Sequence, residues 1–337
     1  MNRYFITGGF GYIGLSFAHK ALERGETVHL FDNLCYEQDY RSYAEVLSKY
    51  GDRFSFSIGD TRNLGYLSQS IKSFAPSHVM HWGDLSSIYA CDHNPSYTET
   101  VCDLGTRNVV DQTCAAGAYL FYNSSSSVYG VQKIERLEPE TGEIPEPTDQ
   151  YCGNKLRNEE YIRIKKGDFS TFKVVIFRPA TVFGIAPRFR IELLPNHFFY
   201  MGYSNSKIKI ADENSYRSSI DVSDLVDGYF AVIEKGDNHD LVYNIGNQNM
   251  KKIDYAKAVQ RHTDCEIISI KNAIDWRNLQ IDSSKFSNEF SWQPKLTIDD
   301  SFAQIKDFFQ ASLNNVKQNN FNGLLNMPLS RWREISE

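Results

Sequence analysis

The chain has 337 residues, long for one small domain and short for three, so a larger domain with a smaller one appended is expected. Hydrophobic residues at 41% and aromatics at 14% can fill a sizeable core, which excludes a disordered or fibrous chain. A formal charge of −6, without any stripe of Lys and Arg, leaves no electrostatic footprint for a nucleic-acid partner.

Met1-Asn2-Arg3 leads at once into a β-rich run, with no charged leader or apolar signal core. No apolar stretch approaches the roughly 18 residues of a membrane span, so no membrane partner and a cytoplasmic location are expected. Arg3–Thr7 reads as a strand, followed by a helix over Tyr12–Glu23 and a strand over Thr27–Phe31. The pattern repeats with Phe54–Ile58 and a helix near Leu64–Ser73, then His78–Trp82 and a helix over Thr98–Cys114. Tyr119–Asn123, a helix over Tyr151–Lys165 and a strand over Lys173–Phe177 continue it. Strands joined by helical crossovers imply a parallel sheet covered on both faces, a doubly wound α/β domain.

After about Arg178 the regularity declines, and Lys207–Ile210, Leu241–Ile245 and Glu266–Ile270 read as short strands among helices. The expected organisation is a first domain over 1–178 and a smaller α/β substrate-binding domain mainly over 179–313, some of whose strands can return to the first. A polar tail over 314–337 is assigned no chemistry. The six cysteines lack CxxC spacing, so they read as free thiols, with neither a metal site nor a disulfide framework.

Thr7-Gly8-Gly9-Phe10-Gly11-Tyr12-Ile13-Gly14 lies between the first strand and the first helix. Glycines there let the backbone turn tightly and approach a pyrophosphate, and the helix N-terminus offers free N–H groups to the phosphate charge. Asp32 follows 18 residues beyond Gly14, at the end of the second strand, where a carboxylate accepts from ribose hydroxyls and repels a 2′-phosphate. The expected cofactor is therefore NAD, held by Gly8, Gly11, Tyr12, Ile13, Gly14, Asp32 and Asn33. Asp60 and Thr61 close the third strand, with Asp60 placed either to meet the adenine or to face solvent. Trp82 ends the fourth strand, at the carboxyl edge where open α/β sheets bind ligands.

The fifth strand ends in Ser124-Ser125-Ser126-Ser127, and Tyr151 and Lys155 follow, four residues apart on one face of a helix. A nearby ammonium stabilises a phenolate, so Tyr151 can accept a hydroxyl proton while a hydride leaves the same carbon for a nicotinamide. A serine at the strand end would orient the oxygen. Tyr151 and Lys155 are expected to border the cofactor as well.

Taken together, these motifs resemble the extended short-chain dehydrogenase/reductases, the NAD-dependent epimerase/dehydratase family of nucleotide-sugar enzymes. The likeness runs from Tyr4 to about Phe309 and includes Arg178–Gly184, Arg217–Asp224, Asn244-Ile245-Gly246 and Trp292-Gln293-Pro294. It implies a Rossmann first domain and a catalytic set of Ser125, Tyr151 and Lys155. Ser126 and Ser127 are further candidates to touch the sugar. They stand where the 4,6-dehydratase branch carries Asp-Glu, which disfavours dehydration. Arg217 matches the family's phosphate-binding arginine, and Thr181, Arg188, Asn196 and Arg277 are also expected on the substrate side, with Arg190 a further candidate. Thr181 and Cys102 replace asparagine, Asp84 a small residue and Asp221 a histidine. The implied activity is oxidation at C4 of a nucleotide-diphosphate sugar through a 4-keto intermediate, by an epimerase or alternatively a dehydrogenase that releases the keto product. A non-catalytic NAD-binding regulator is the reading from another class. Family habit implies a homodimer built on the helices 98–114 and 151–165.

Overall fold

In a computed structural model, residues 1–36, 40–130, 139–140, 144–237, 239–271 and 277–316 are described. The first half runs β1 (Arg3–Thr7), α1 (Tyr12–Glu23), β2 (Thr27–Asp32), α2 (Tyr40–Ser48), β3 (Phe54–Ile58), α3 (Leu64–Phe74) and β4 (His78–His81). It continues through α4 (Ile88–His93), α5 (Pro95–Glu99), α6 (Gly105–Ala115), β5 (Tyr119–Asn123), α7 (Gln150–Asp168) and β6 (Val174–Pro179). Then come β7 (Thr181–Phe183), α8 (Leu194–Asn205), β8 (Lys207–Ala211), β9 (Tyr216–Asp221), α9 (Val222–Lys235), β10 (Val242–Ile245) and β11 (Gln248–Lys251). The last elements are α10 (Lys252–His262), β12 (Glu266–Ile270), α11 (Ser284–Phe290) and α12 (Ile298–Val316). The tail beyond 316 lies outside the described residues.

Seven strands pair in parallel in the order β10-β6-β5-β4-β1-β2-β3. Alternation along each strand serves two cores. Tyr4 and Ile6 of β1 pack with α1 and α9 through Phe17, Leu22, Leu225 and Tyr229, whereas Phe5 packs with α3 and α6 through Leu67, Ile71 and Val109. The order reverses between β1 and β4, the place where doubly wound sheets open a crevice at their carboxyl ends. β10 comes from the stretch expected mainly in the second domain, and it pairs with β6 from Val242↔Ile176 to Ile245↔Pro179.

A smaller sheet, β11-β9-β7, and the parallel pair β12-β8 build the rest around Phe199, Ile208, Tyr255, Val259 and Phe302. The helix expected over 98–114 starts earlier, at Pro95, with Asn94 as its cap, and a π-helical stretch over Thr100–Leu104 joins α5 to α6. Such wide turns re-aim backbone and side chains, and here the Cys102 carbonyl accepts from Asn158 Nδ2 of α7 at 2.6 Å.

Next to the site, Arg178 of β6 grips Glu159 of α7 with both arms, Nε to Oε1 at 2.9 Å and Nη2 to Oε2 at 2.6 Å. Burial works to raise the Glu159 pKa, but the Arg178 fork outweighs it and holds the carboxyl below its ordinary 4.5. The pair's contribution is therefore complete above pH 4.5 and is lost as pH falls through the depressed value. Arg178→Ala, which strands a buried carboxylate, should cost about 3–5 kcal/mol in urea denaturation at pH 7, and the deficit should shrink on acidification.

Candidate active site

The chain turns after β1 because Gly8 adopts φ +66°, and a Cβ there would stand 2.5 Å from the Trp82 carbonyl oxygen. A Cβ on Gly14 would meet the Gly8 carbonyl oxygen at 2.5 Å, so α1 can begin directly behind the loop only with glycine in that place. Gly11 caps α1 without any side-chain acceptor, and no acidic residue lies in the first turn. The helix therefore presents unspent N–H groups and its positive dipole end to the crevice.

Asp32 stabilises this loop itself, its Oδ2 accepting from Phe10 N at 3.0 Å and its Oδ1 from Leu34 N at 2.8 Å. Gly8, Gly11, Tyr12, Ile13, Gly14, Asp32, Asn33, Thr61, Trp82 and Asp84 line one open cleft. This glycine-floored cradle, with the Asp32 carboxylate on its wall, fits a dinucleotide.

Two cofactor-side expectations change in detail. The Tyr12 phenol donates to the Gly184 carbonyl at 2.6 Å and ties α1 to the turn after β7. The Asp60 carboxylate is engaged by Arg62, at 2.9 and 2.7 Å, and by Asn33 Nδ2 at 3.1 Å, while its neighbours Gly59 and Thr61 line the cleft. Arg62, ahead of burial, sets the Asp60 pKa at about 2.

Ser125, Tyr151 and Lys155 come together behind Asp84, which lines this cleft and bonds Lys155; none of the three is itself in the lining, where Tyr151 and Lys155 were expected. Ser125 Oγ accepts from Ser127 N at 3.1 Å, fixing the hydroxyl at the end of β5, beside the Tyr151 phenol. Asp149 caps α7 by accepting from Cys152 N at 2.8 Å, which sets Tyr151 in the first turn. Burial pushes the Tyr151 phenol above its ordinary 10, with Lys155 and the Ser125 hydroxyl pulling the other way. Lys155 Nζ donates to the Asn123 carbonyl and to Asp84 Oδ2, each at 2.7 Å. Burial alone would depress the ammonium, but Asp84, Tyr122 and Tyr151 together hold its pKa well above the ordinary value.

A second cavity adjoins the serines and is lined by Ser126, Ser127, Cys152, Thr181, Arg217, Ser218 and Arg277, among others. Arg217 reaches it from β9, and Arg277 from a loop. Arg188 and Asn196 stand elsewhere than expected. Arg188 lies on the glycine-loop cleft, donating to the Tyr36 carbonyl at 3.0 Å, and Arg190 lines the same cleft. Asn196 is fully buried, accepting from Gly184 N at 3.0 Å and donating to the Arg190 carbonyl at 2.8 Å, so its amide shapes the loop that carries both arginines. Residues that sequence reasoning left without a role include Asp84, Thr106, Tyr122 and Asn158. Asp84 did stand out as a departure from the family pattern, but nothing near it in sequence points to Lys155, 71 residues on.

Residues 4–246 match the family model described as the NAD dependent epimerase/dehydratase family. UDP-arabinose 4-epimerase 1 of Arabidopsis thaliana is 25% identical over 320 residues, covering 87% of this chain and 75% of that protein. The decarboxylating sterol-4-alpha-carboxylate 3-dehydrogenase of Saccharomyces cerevisiae is 27% identical over 222 residues, covering 62% of this chain and 58% of that protein. The crystal structure of UDP-glucose 4-epimerase from Bifidobacterium longum, in complex with NAD+ and UDP, has the same fold. Its TM-score is 0.80 at 20% identity, covering 93% of this chain and 99% of that one.

Asp32 both braces the loop and faces the cleft. Asp32→Ala should weaken NAD binding by about tenfold or more in calorimetry, as charge-assisted hydrogen bonds are lost. The preference for NAD over NADP should narrow at the same time, because the carboxylate no longer repels a 2′-phosphate.

Proposed function

This chain belongs to the NAD-dependent epimerase/dehydratase family, and from that premise we propose that it is a nucleotide-sugar epimerase acting at C4. The observation that carries this reading is that Ser125, Tyr151 and Lys155 adjoin both sites: Lys155 bonds Asp84 of the glycine-floored cleft, while Ser126, Ser127 and Cys152, beside the set, line the cavity that bears Arg217 and Arg277. Gly8, Gly11, Ile13, Gly14, Asp32, Asn33 and Thr61 would hold the cofactor, which when bound supplies the hydride acceptor.

The chain's own residues do the rest. The Ser125 hydroxyl orients the C4 oxygen toward Tyr151, and the Tyr151 phenolate takes the hydroxyl proton as the 4-keto sugar forms. Lys155 stabilises the charge on the phenolate. Arg217 and Arg277 grip the diphosphate, a task suited to guanidinium forks. With the nucleotide anchored there, the small side chains of Ser126, Ser127 and Thr181 leave the keto sugar room to present its other face. The proton then returns from Tyr151, and the centre is inverted with no net redox change.

Net dehydrogenation with release of the keto product uses the same residues, and the yeast relative, a dehydrogenase by name, supports it as a second reading. A non-catalytic regulator has no need of both Tyr151 and Lys155, which are present. Leu104 and Ile164, large apolar side chains 48% and 54% exposed on the α5–α6 segment and on α7, support the expected homodimer.

The test is a panel of UDP-, GDP-, CDP- and dTDP-sugars, followed at 340 nm with products resolved by NMR. An inverted sugar without net NADH is the expected outcome; stoichiometric NADH with a keto product would replace epimerase by dehydrogenase. Tyr151→Phe should lose about 10²–10⁴-fold in kcat, the usual worth of a general base, and keep its affinity for NAD within a few-fold.

A further inference from the structure

We infer that Asp84 is a positioning residue of the proton-transfer site, drawing the Lys155 ammonium off the Tyr151 phenol and opposing its charge. The inference rests on the reading of Tyr151 as the proton-transferring group, and it concerns a position where the family resemblance implies a small residue.

The geometry is that of a buried ion pair with no slack. The side chains of Asp84 and Lys155 are 4% and 7% exposed, and Nζ stands 2.7 Å from Oδ2. The ammonium lies 5.0 Å from the centre of the Tyr122 ring but 5.8 Å from that of Tyr151. Its second contact, the Asn123 carbonyl, also lies on the sheet side. Asp84 is held in turn, with Oδ1 accepting from Thr106 Oγ1 at 3.0 Å and Oδ2 from the Tyr122 hydroxyl at 3.3 Å.

Thr106 donates to Asp84 and so accepts from His81 Nε2, 2.9 Å away, while His81 Nδ1 stands 2.6 Å from Thr7 Oγ1. Burial drops His81 to about 4, so the imidazole is neutral, donating at Nε2 and accepting from Thr7 at Nδ1. His81 therefore gives Asp84 no positive charge at neutral pH, and the carboxylate's cation is Lys155.

Two of the other titratable groups around the pair are uncharged at neutral pH. Tyr122 of β5 is raised by burial, and burial lifts the Cys152 thiol to about 12. The Cys91 and Cys102 thiols, from α4 and the π-helical stretch, both bond Leu85, Cys91 Sγ donating to its carbonyl at 3.7 Å and Cys102 Sγ accepting from its N–H at 3.3 Å. Asp149, at the cap of α7, is a further carboxylate on the Cys152 side. The Tyr151 phenol thus faces a cation whose nearest neighbour is an anion. The field of such a pair falls off faster than that of a lone ammonium, so Lys155 promotes ionisation of Tyr151 less than its nearness implies.

The experiment is a titration of Tyr151 by NMR of protein labelled with 13Cζ-tyrosine, without substrate, the resonance being assigned by its loss in Tyr151→Phe. Asp84→Asn should lower the pH at which the phenol ionises by about one unit, within the range that removal of a nearby charge produces. Asp84→Glu, which keeps the charge, should titrate like the parent. The acid limb of kcat/KM should move with the phenol. A resonance in Asp84→Asn that titrates where the parent's does, or higher, overturns the inference. If that variant does not fold, Asp84→Ser, which keeps a partner for Thr106, gives the same reading. Since the titration needs no turnover, a chain inactive on every nucleotide sugar would sink the proposed function, while the phenol titration would still decide the role of Asp84.

Discussion

Helix α7 buries a lysine and a glutamate one turn apart, and much of the site follows from that constraint. Taking an ion out of water costs several kcal/mol unless a partner is in place. Lys155 and Glu159 are 6% and 2% exposed. Each must therefore meet its opposite at the carboxyl edge of the sheet, Asp84 beyond β4 for the first and Arg178 on β6 for the second. Asn158, between them, donates to the Cys102 carbonyl and the Tyr122 hydroxyl at 2.6 and 3.1 Å. With these contacts made, α7 can neither rotate nor slide without stranding a charge, and Tyr151 in its first turn inherits that rigidity.

A second set of contacts fixes the two halves of the molecule against each other. Close approach of backbone to backbone at Gly8, Trp82 and Gly83 brings the ends of β1 and β4 together at the point where strand order reverses. The Tyr12 phenol then reaches across to Gly184, whose N–H is held by Asn196, and the Asn196 amide binds the Arg190 carbonyl. One buried chain of hydrogen bonds thus links the start of α1 to the loop that brings Arg188 and Arg190 over the cleft. Buried polar groups that are satisfied in this way specify one arrangement of the elements they join.

The same contacts explain what could be read from the sequence. Strands β1, β5 and β6 carry unbroken apolar runs, Tyr4–Ile6, Tyr119–Tyr122 and Val174–Phe177, as strands buried on both faces do, and the glycine loop and Asp32 are local motifs whose spacing carries their geometry. Tyr151 and Lys155 were equally legible, because a separation of four places two side chains on one helix face. Asn196 and Arg188 lie outside the lining of the Arg217 cavity, a placement the sequence does not carry because a motif names a residue without saying which way its loop turns. The π-helical stretch has no periodic signature at all. The buried face of α7, carrying Asn154, Lys155, Asn158 and Glu159, reads as a solvent face by pattern. Only the partners, 71 and 19 residues away, make it a core.

That inversion bears on what the site can do. A helix packed by apolar residues would put Tyr151 in place but give its phenol nothing to offset burial, which by itself drives the group above its ordinary 10. Lys155 is the offset, and a lone ammonium there would carry the full cost of its own desolvation. Asp84 meets that cost at 2.7 Å, and in doing so it spends part of the charge that Lys155 would otherwise turn on the phenol. Stability and basicity therefore draw on one interaction in opposite senses. A small residue at position 84 would leave the lysine's charge to the phenol and to whatever is bound, whereas this chain commits it first to its own fold.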